Sequence, residues 1–299
     1  EAFRRLIEDD DASATPALVQ AALSAQRPET RVRALWALRH ARALEPAVVI
    51  AALRDSDPGV RENGLRLAEE MPVQAELEWA VAQAAKDENA RVRFAAATTL
   101  ARIEGPWAVE ALVEIARRDA GDRWARAAVL AAAGGRMEAF FAALAVETGA
   151  SGVDSAPLLE QLGRTFAAGS AADLVRAHFA RAVQGKWDLS SRIALARGLI
   201  EGSRARADLK AAKISPVAFL LGDGGALGDD WGRFATAAGQ HAADVRRSMS
   251  ERVAAIMLLG ELPFTESGAI LLERLGPREP VELQLAAIKA LERIGDGQG

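Results

Sequence analysis

Apolar residues return along the whole chain at the spacing of one helix face, in short segments that open with polar residues. The stretch at 55–70, DSDPGVRENGLRLAEE, shows the pattern. Asp57 and Pro58 form a helix start, because a carboxylate can accept from free backbone N–H groups and proline suits the first helical position. The apolar face that follows consists of Val60, Gly64, Leu67 and Ala68. The pattern therefore predicts a helix that begins at Pro58.

The same phrase recurs with an arginine at a fixed place within it. These arginines are Arg31, Arg61, Arg93, Arg126, Arg192 and Arg252. Successive steps between them are 30, 32, 33, 66 and 60 residues, so the last two are each close to two periods. Two weaker copies are therefore implied between them, and the segment that begins at Val281 makes one further copy.

A second helix is predicted between successive copies of the phrase. These segments lie at 15–25, 45–55, 75–87, 106–119, 170–183, 230–248 and 264–276. The repeating unit is therefore a helix pair of about 30 residues, within the range of helical repeat arrays. One pair cannot bury its apolar face alone, so stacked pairs bury it against their neighbours. We expect an all-α fold, a right-handed α-α superhelix of about eight or nine helix pairs.

The regular pattern falters at 203–229, where Pro216 and a glycine-rich turn at 222–225 interrupt the helices. This segment is predicted to be a degenerate repeat or a long loop. It divides the chain into an N-terminal array at 1–202 and a C-terminal array at 230–299. It could act as a hinge between them or as a loop within one continuous solenoid, and the second interpretation is favoured.

The recurring arginines allow two interpretations. In one, they form a row of anion-binding groups on the concave face of the array. In the other, they form an internal ladder in which each guanidinium bonds a carboxylate or loop carbonyl of the next turn and joins neighbouring repeats. Their fixed place near helix starts favours the ladder, to which the sequence assigns Arg31, Arg61, Arg93, Arg126, Arg192, Arg252 and Asp57.

Composition narrows the classes of function. Half of the residues are hydrophobic and a quarter are charged, as in a folded protein. The formal net charge of −4 argues against a general nucleic-acid binder, which is usually basic. The absence of cysteine excludes disulfides, thiolate metal sites and covalent c-type haem attachment within this chain. Since no run approaches the roughly 20 apolar residues of a membrane span, we expect no direct membrane insertion.

Side chains that could carry chemistry are present but scattered. His40, His178 and His241 show no metal-ligand spacing and are expected on helix surfaces, so no metal site and no cofactor are predicted. Acidic runs such as EDDD at 8–11 fit a solvated helix end better than an acid–base pair. Among the tryptophans, Trp36, Trp79 and Trp124 are expected in the core, whereas Trp107, Trp187 and Trp231 are expected to be partly exposed.

The Asp-x-x-Pro-x-Val-Arg-like phrase at 55–61 resembles HEAT repeats of the short, PBS-lyase-like kind. The segments at 33–69, 87–103, 122–135 and 271–294 are together similar to the HEAT region of planctomycete-type membrane-bound dehydrogenases. In that family the array lies between a β-propeller and a c-type cytochrome domain. The resemblance implies a periplasmic or membrane-associated setting. This chain carries neither a propeller nor a Cys-x-x-Cys-His motif, so no catalytic or haem residue carries over.

The sequence therefore favours a non-catalytic scaffold or spacer, a piece of a larger dehydrogenase or cytochrome-type protein that contacts a protein partner or neighbouring domains. A free-standing, protein-binding adaptor is the alternative, for which exposed arginines on one face would be the feature to look for. An enzyme resembling the HEAT-fold DNA glycosylases is a third interpretation, disfavoured by the net charge. The chain is expected to be a monomer.

Overall fold

A computed structural model describes residues 12–72, 74–105, 107–147, 155–222 and 227–296, and these residues form helices and turns without a strand. The fold is thus all-α, as predicted. The acidic run at 8–11 and residues 223–225 of the glycine-rich turn lie outside the described residues. The chain divides into two compact units, Glu1–Glu147 and Thr148–Gly299.

Unit 1 contains nine α-helices among its described residues. They are α1 (Thr15–Ser24), α2 (Pro28–His40), α3 (Pro46–Leu53), α4 (Pro58–Ala68), α5 (Ala75–Gln83), α6 (Ala90–Leu100), α7 (Trp107–Arg118), α8 (Arg123–Ala133) and α9 (Met137–Glu147). The recurring arginines lie on α2, α4, α6 and α8. We call these helices, and those at the same place in unit 2, the R-helices.

The helices of unit 1 form two layers. Each R-helix packs on the next, from α2 through α4 and α6 to α8, and the intervening helices α1, α3, α5 and α7 pack in the same order. The core lies between the layers and consists of aliphatic side chains and alanine, such as Leu35, Leu65 and Leu100, each 0% exposed. This is the stacking of helix pairs that the periodicity predicts.

Helix starts in unit 1 follow from local chemistry. The Oδ1 atom of Asp57 accepts from the backbone N–H groups of Gly59 and Val60 at 2.8 and 3.2 Å, which caps α4. Asp122 caps α8 in the same way, through Trp124 and Ala125. Each capped N–H would otherwise lack an intrahelical partner.

Unit 2 contains a further set of helices among its described residues. They are α10 (Ala156–Gly169), α11 (Ala172–Gln184), α12 (Leu189–Arg204), α13 (Ala207–Ala212), α14 (Pro216–Leu221), α15 (Gly228–Ala243), α16 (Met249–Leu259), α17 (Phe264–Glu273) and α18 (Val281–Asp296). Its R-helices α10, α12, α16 and α18 pack on one another in this order. The intervening helices α11, α15 and α17 each pack on the R-helix that follows them.

The segment at 203–229 lies within unit 2, and the predicted array at 1–202 crosses the division between the units. Helices α13 and α14 both pack on α12, and α16 also packs directly on α12. The step of 60 residues from Arg192 to Arg252 therefore contains a short helical insertion instead of a full copy of the repeat. Whether this segment acts as a hinge stays a prediction.

Helices α10 and α12 pack closely at three glycines, in a part of the array where the recurring arginine is missing. A Cβ atom at Gly198 would lie 2.1 Å from the carbonyl oxygen of Glu160, and one at Gly202 would lie 2.2 Å from that of Arg164. On the opposite side, a Cβ atom at Gly163 would lie 2.9 Å from the carbonyl oxygen of Leu195. The two backbones approach this closely only because all three positions lack a side chain.

Replacing Gly198 by alanine is expected to destabilise the protein by about 1–3 kcal/mol, because the added methyl group must push α10 and α12 apart. Gly232→Ala is the matched control. Gly232 also lies inside a helix of unit 2, but no atom lies within 4 Å of the place its Cβ would occupy. This control is expected to be neutral or to stabilise the protein by up to about 1 kcal/mol. Thermal denaturation of both variants checks the prediction, which equal melting temperatures would contradict.

Candidate functional site

Three of the predicted arginines in unit 1 bind a carboxylate in the next repeat through two parallel hydrogen bonds. Arg31 donates from Nε and Nη2 to Asp55 at 2.7 and 2.8 Å, and Arg61 donates from the same atoms to Asp87 at 2.6 and 2.8 Å. Arg93 binds Asp119 in the same way, with an Nε to Oδ2 distance of 2.7 Å. The planar guanidinium matches the two carboxylate oxygens, which makes this the stronger form of ion pair.

The third nitrogen of each guanidinium holds the loop before its own helix. Nη1 of Arg61 donates to the carbonyl of Asp55 at 2.8 Å, and Nη1 of Arg93 donates to that of Asp87 at 2.8 Å. Arg126 contacts the carbonyl of Ala120 at 2.7 Å through the same nitrogen. Asp55 and Asp87 therefore each receive one arginine on the side chain and the following one on the backbone, and the contacts run without a break from repeat to repeat.

The ion pairs of this row are largely buried, and this changes both their strength and the pKa values of their groups. The side chains of Arg93 and Asp119 are 7% and 11% exposed, so little water screens their attraction. Burial alone would raise the pKa of Asp87, but its hydrogen bond from Arg61, the N–H of Asn89 and the nearby positive charges outweigh this and lower it. The hydrogen bond to Asp55 raises the pKa of Arg31. Asp87 and Arg31 are thus held in their charged forms.

The sequence pattern assigns Asp57 to the ladder of arginines and carboxylates, and this assignment is wrong. In the structure the carboxylate of Asp57 caps α4 instead. The carboxylates that the arginines contact are Asp55, Asp87 and Asp119. A signal for two of them was present in the sequence, where aspartate stands six residues before Arg61 and before Arg93. Spacing alone did not show that a carboxylate pairs with the arginine of the preceding repeat.

The predicted arginines of unit 2 make related contacts with different partners. Arg192 donates from Nε to the carbonyl of Ala182 at 2.8 Å, and its guanidinium lies 4.9 Å from the centre of the Phe234 ring. Burial lowers the pKa of Arg192. Arg252 donates to the carbonyl of Ala242 at 2.9 Å and to Glu279 at 3.3 Å. Both arginines thus bind the last turn of the preceding helix, where the helix dipole favours a cation.

A second feature of unit 1 is the outward side of its R-helices, which carries arginine and aromatic side chains. Counted from the ladder arginine, these side chains stand two before it, one after it or five after it. Trp124, Phe94 and Trp36 occupy such positions, and Trp124 and Phe94 are 63% and 41% exposed. Arg91 and Arg66 occupy two more, with side chains 80% and 59% exposed. We call these five residues the aromatic–arginine face.

One buried carboxylate organises the arginines of this face. Glu62, whose side chain is 11% exposed, contacts Arg66 at 2.7 Å on its own helix and Arg91 at 2.8 Å on the next. Two exposed guanidinium groups therefore share a single negative charge. Trp36 is fixed beside them by a hydrogen bond of 2.8 Å from its Nε1 to Asn63.

Three expectations about tryptophan are wrong. Trp124 and Trp79, predicted to be in the core, are 63% and 45% exposed, whereas Trp231, predicted to be partly exposed, is 5% exposed. Trp124 lies on the outward side of α8, beneath the guanidinium of Arg123 at 4.7 Å. Helical spacing identifies an apolar face, but the packing of the neighbouring helices decides which residues at its edge are covered.

Two of the histidines are also buried, contrary to the expected surface position. His178 packs edge-on against Phe166, with ring centres 4.9 Å apart. The Nε2 atom of His241 lies 3.1 Å from Oγ of Ser190, which donates its one proton to Glu251. These contacts tie three helices together. Within the described ranges, no three ligating side chains gather at a metal site.

One stretch of unit 1, Arg123–Leu144, is long and apolar enough to cross a membrane by length and composition. It consists of α8 and α9, joined by a 3-10 turn at Gly134–Arg136. Phe140, Phe141 and Leu144 on α9 are at most 1% exposed. The stretch therefore supplies core side chains to unit 1. The expectation that the chain does not insert into a membrane stays a prediction.

Comparison with known proteins identifies part of the chain as a repeat. Residues 46–133 match the family model of HEAT repeats. No curated protein matches the sequence. Among solved structures, human deoxyhypusine hydroxylase in complex with glycerol is similar over 95% of this chain and 96% of its own, at 19% identity and a TM-score of 0.32. Kap121p bound to Pho4p is similar over 96% of this chain and 42% of its own, at 13% identity and a TM-score of 0.35. Likenesses this weak carry no information on function.

Arg61→Ala is expected to destabilise the protein by about 2–4 kcal/mol, because it leaves Asp87 and two loop carbonyls without their partner. Arg66→Ala is the matched control, since Arg66 lies five residues away on the same helix with a side chain 59% exposed. It is expected to change the stability by at most about 0.5 kcal/mol. Thermal and urea denaturation measure both effects. An unchanged melting temperature for Arg61→Ala would assign that arginine to the surface instead.

Proposed function

We propose that this chain is a non-catalytic helical-repeat scaffold that binds an acidic protein segment along the aromatic–arginine face of unit 1. The match of residues 46–133 to HEAT repeats supports a repeat scaffold. The face consists of half-buried Trp36 on α2 and exposed residues on the R-helices α4, α6 and α8. It is the feature that the adaptor interpretation requires, namely arginines exposed on one side of the array.

This proposal rests on the two arginines that contact the same carboxylate, that of Glu62. Arg66 and Arg91 together bear two positive charges, and the carboxylate that holds them bears one. A carboxylate from a partner would balance the second charge without displacing a contact already made. Because Glu62 fixes both side chains from below, the partner would bind groups that have already lost much of their rotational freedom.

The neighbouring aromatic side chains define the rest of the partner. Exposed tryptophan and arginine are the residues in which binding energy concentrates at protein interfaces. Phe94 and Trp124 would contact apolar side chains of the segment, while its acidic residues pair with Arg66 and Arg91. The segment would therefore alternate carboxylates with leucine-like residues. A nucleic acid would also use arginine and aromatic groups, and binding of poly-uridine against binding of the acidic peptide separates the two interpretations.

The test is the affinity for a fluorescein-labelled peptide of glutamate with interspersed leucine, measured by anisotropy at low salt. We expect saturable binding that weakens at about 0.3 M salt, since screening reduces charge attraction. Arg66→Glu with Arg91→Glu should weaken it at least about tenfold, or about 1.4 kcal/mol. Arg278→Glu, an exposed arginine of unit 2, is the control and should bind as the unchanged chain does.

Two results would contradict this function. One is equal binding of a lysine peptide of the same length, because charge complementarity would then be irrelevant. The other is tighter binding of poly-uridine than of the acidic peptide, which would assign the face to single-stranded nucleic acid. Trp124→Ala should weaken binding of the acidic peptide without lowering the melting temperature, since Trp124 is exposed.

We further propose that the scaffold is a spacer within a larger dehydrogenase or cytochrome-type polypeptide in an extracytoplasmic or membrane-associated setting. The resemblance of its sequence segments supports this setting. The test is the mass of the native polypeptide that carries this sequence, with haem staining of the same band. A much larger, haem-positive band is expected. A haem-negative band near 31.6 kDa would make the chain a free-standing adaptor.

A further inference from the structure

A small cavity opens between two intervening helices of unit 1. It measures about 310 Å³ and lies between α5 and α7, with Ala143 of α9 at its edge. Helices α5 and α7 pack on one another, α3 packs on α5, and α9 packs on α7. Helices of the same unit therefore flank the cavity on both sides, and it lies inside unit 1 instead of at an end of the array.

Two tryptophans form one end of this cavity. Trp79 on α5 and Trp107 on α7 lie with their ring centres 5.7 Å apart and their planes inclined at 68°. Rings at this angle leave a corner in which a ligand contacts a face of each ring. Trp79 is 45% exposed, so this corner is open to solvent. Among the described residues, neither indole N–H donates a hydrogen bond to another group.

The faces of these two rings are also free of cations. Trp36 and Trp124 each carry a guanidinium group of the chain, at 5.7 and 4.7 Å from the ring centre. In the part of the chain that the structure describes, no cationic side chain lies over Trp79 or Trp107. The face of an indole ring is electron-rich and attracts cations. The corner therefore offers a cation-binding surface that the described residues do not occupy.

Two carboxylates line the same cavity. Glu110 and Glu114 stand three and seven residues after Trp107, on the same side of α7. Glu110 is exposed and Glu114 is half-buried. Within the described ranges neither carboxylate makes an ion pair. A cation in the corner would therefore be attracted by the two ring faces and by negative charge that no described group balances.

The positive groups of the cavity lie towards its other end. Lys86 stands seven residues after Trp79, and Arg117 stands ten residues after Trp107. These separations correspond to about 10 and 15 Å along the helix axes, whereas Glu110 is about 5 Å from Trp107 by the same measure. The negative charge is thus nearer to the tryptophans than the positive charge is. This order favours a cation over an anion in the corner.

We propose that this cavity binds a quaternary ammonium group, with its methyl groups in the corner between Trp79 and Trp107 and its charge balanced by Glu110. A primary ammonium carries three N–H donors that need acceptors, and ring faces supply these poorly. A quaternary ammonium has no such donor, and its methyl groups pack on the rings. The group belongs to a free molecule of the choline kind or to a trimethylated lysine of a protein. The site is independent of the aromatic–arginine face, which lies on the R-helices.

The first test compares choline with its uncharged isostere, in which a tert-butyl group replaces the trimethylammonium group. Calorimetry on the full chain measures both affinities. We expect saturable binding of choline and binding of the isostere that is at least about tenfold weaker, because only the cation is attracted by the rings and the carboxylates. Equal affinities would overturn the proposal, since the cavity would then select for shape and apolar surface alone.

Peptides identify the source of the group. A short peptide with one trimethyllysine is compared with the same peptide that carries unmodified lysine, which should bind at least about tenfold more weakly. Tighter binding of the methylated peptide than of choline would assign the group to a protein side chain. Tighter binding of choline would assign it to a free molecule. The absence of saturable binding for both would overturn the proposal.

Variants place the group in the corner. Trp79→Ala should weaken choline binding about tenfold while the chain stays folded, because the ring is partly exposed. Trp124→Ala is the matched control, since Trp124 is an exposed tryptophan of unit 1 that already lies beneath Arg123. It should bind choline as the unchanged chain does. Equal affinities of the two variants would contradict the proposed position.

A second pair of variants tests the carboxylate. Glu110→Gln should weaken choline binding about threefold, because it removes the charge and keeps the shape of the side chain. Glu76→Gln is the control, since Glu76 is an exposed glutamate of α5 that does not line the cavity. It should leave the affinity unchanged. An equal effect of both variants would show a general response to net charge and contradict the role of Glu110.

Discussion

The paired hydrogen bonds between an arginine of one repeat and an aspartate of the next are the contact on which unit 1 depends. Arg61 reaches Asp87 in the following repeat and the carbonyl of Asp55 in its own loop, so one side chain fixes two loops at once. The two parallel hydrogen bonds from one guanidinium allow little variation in the distance or angle between the groups. They therefore set the spacing at which the aliphatic faces of the helices meet, and they do so in charged pairs that little water reaches.

This arrangement also decides which side of each R-helix is free. The ladder arginine points along the array, the aliphatic residues point into the core, and the remaining stripe faces outward. Phe94 and Trp124 lie on this stripe, and their exposure follows from the register of the ladder. Glu62 then holds Arg66 and Arg91 beside them. The same device that orders the repeats thus places polar and aromatic groups on one side of the R-helices.

Unit 2 shows a second way of joining repeats. Between α10 and α12 the arginine is missing, and the glycines at 163, 198 and 202 allow the two backbones to approach instead. A side chain at any of these places would collide with a carbonyl or amide of the other helix. The array therefore tolerates loss of the ion pair where close packing replaces it. On α18 the ladder position holds Gln284, which donates to the carbonyls of Gly276 and Glu279.

The sequence by itself determined the all-α fold, the helix-pair repeat and the position of the arginines, because these follow from local periodicity and capping. It also identified Asp57 as a helix start, which is a local property of the chain. Only the tertiary structure decided which carboxylate each arginine contacts, since Asp55, Asp87 and Asp119 pair across some 26 residues. It likewise decided that Trp124 is exposed and Trp231 is buried. Such outcomes depend on how neighbouring helices pack, and the pattern within one helix does not contain that information.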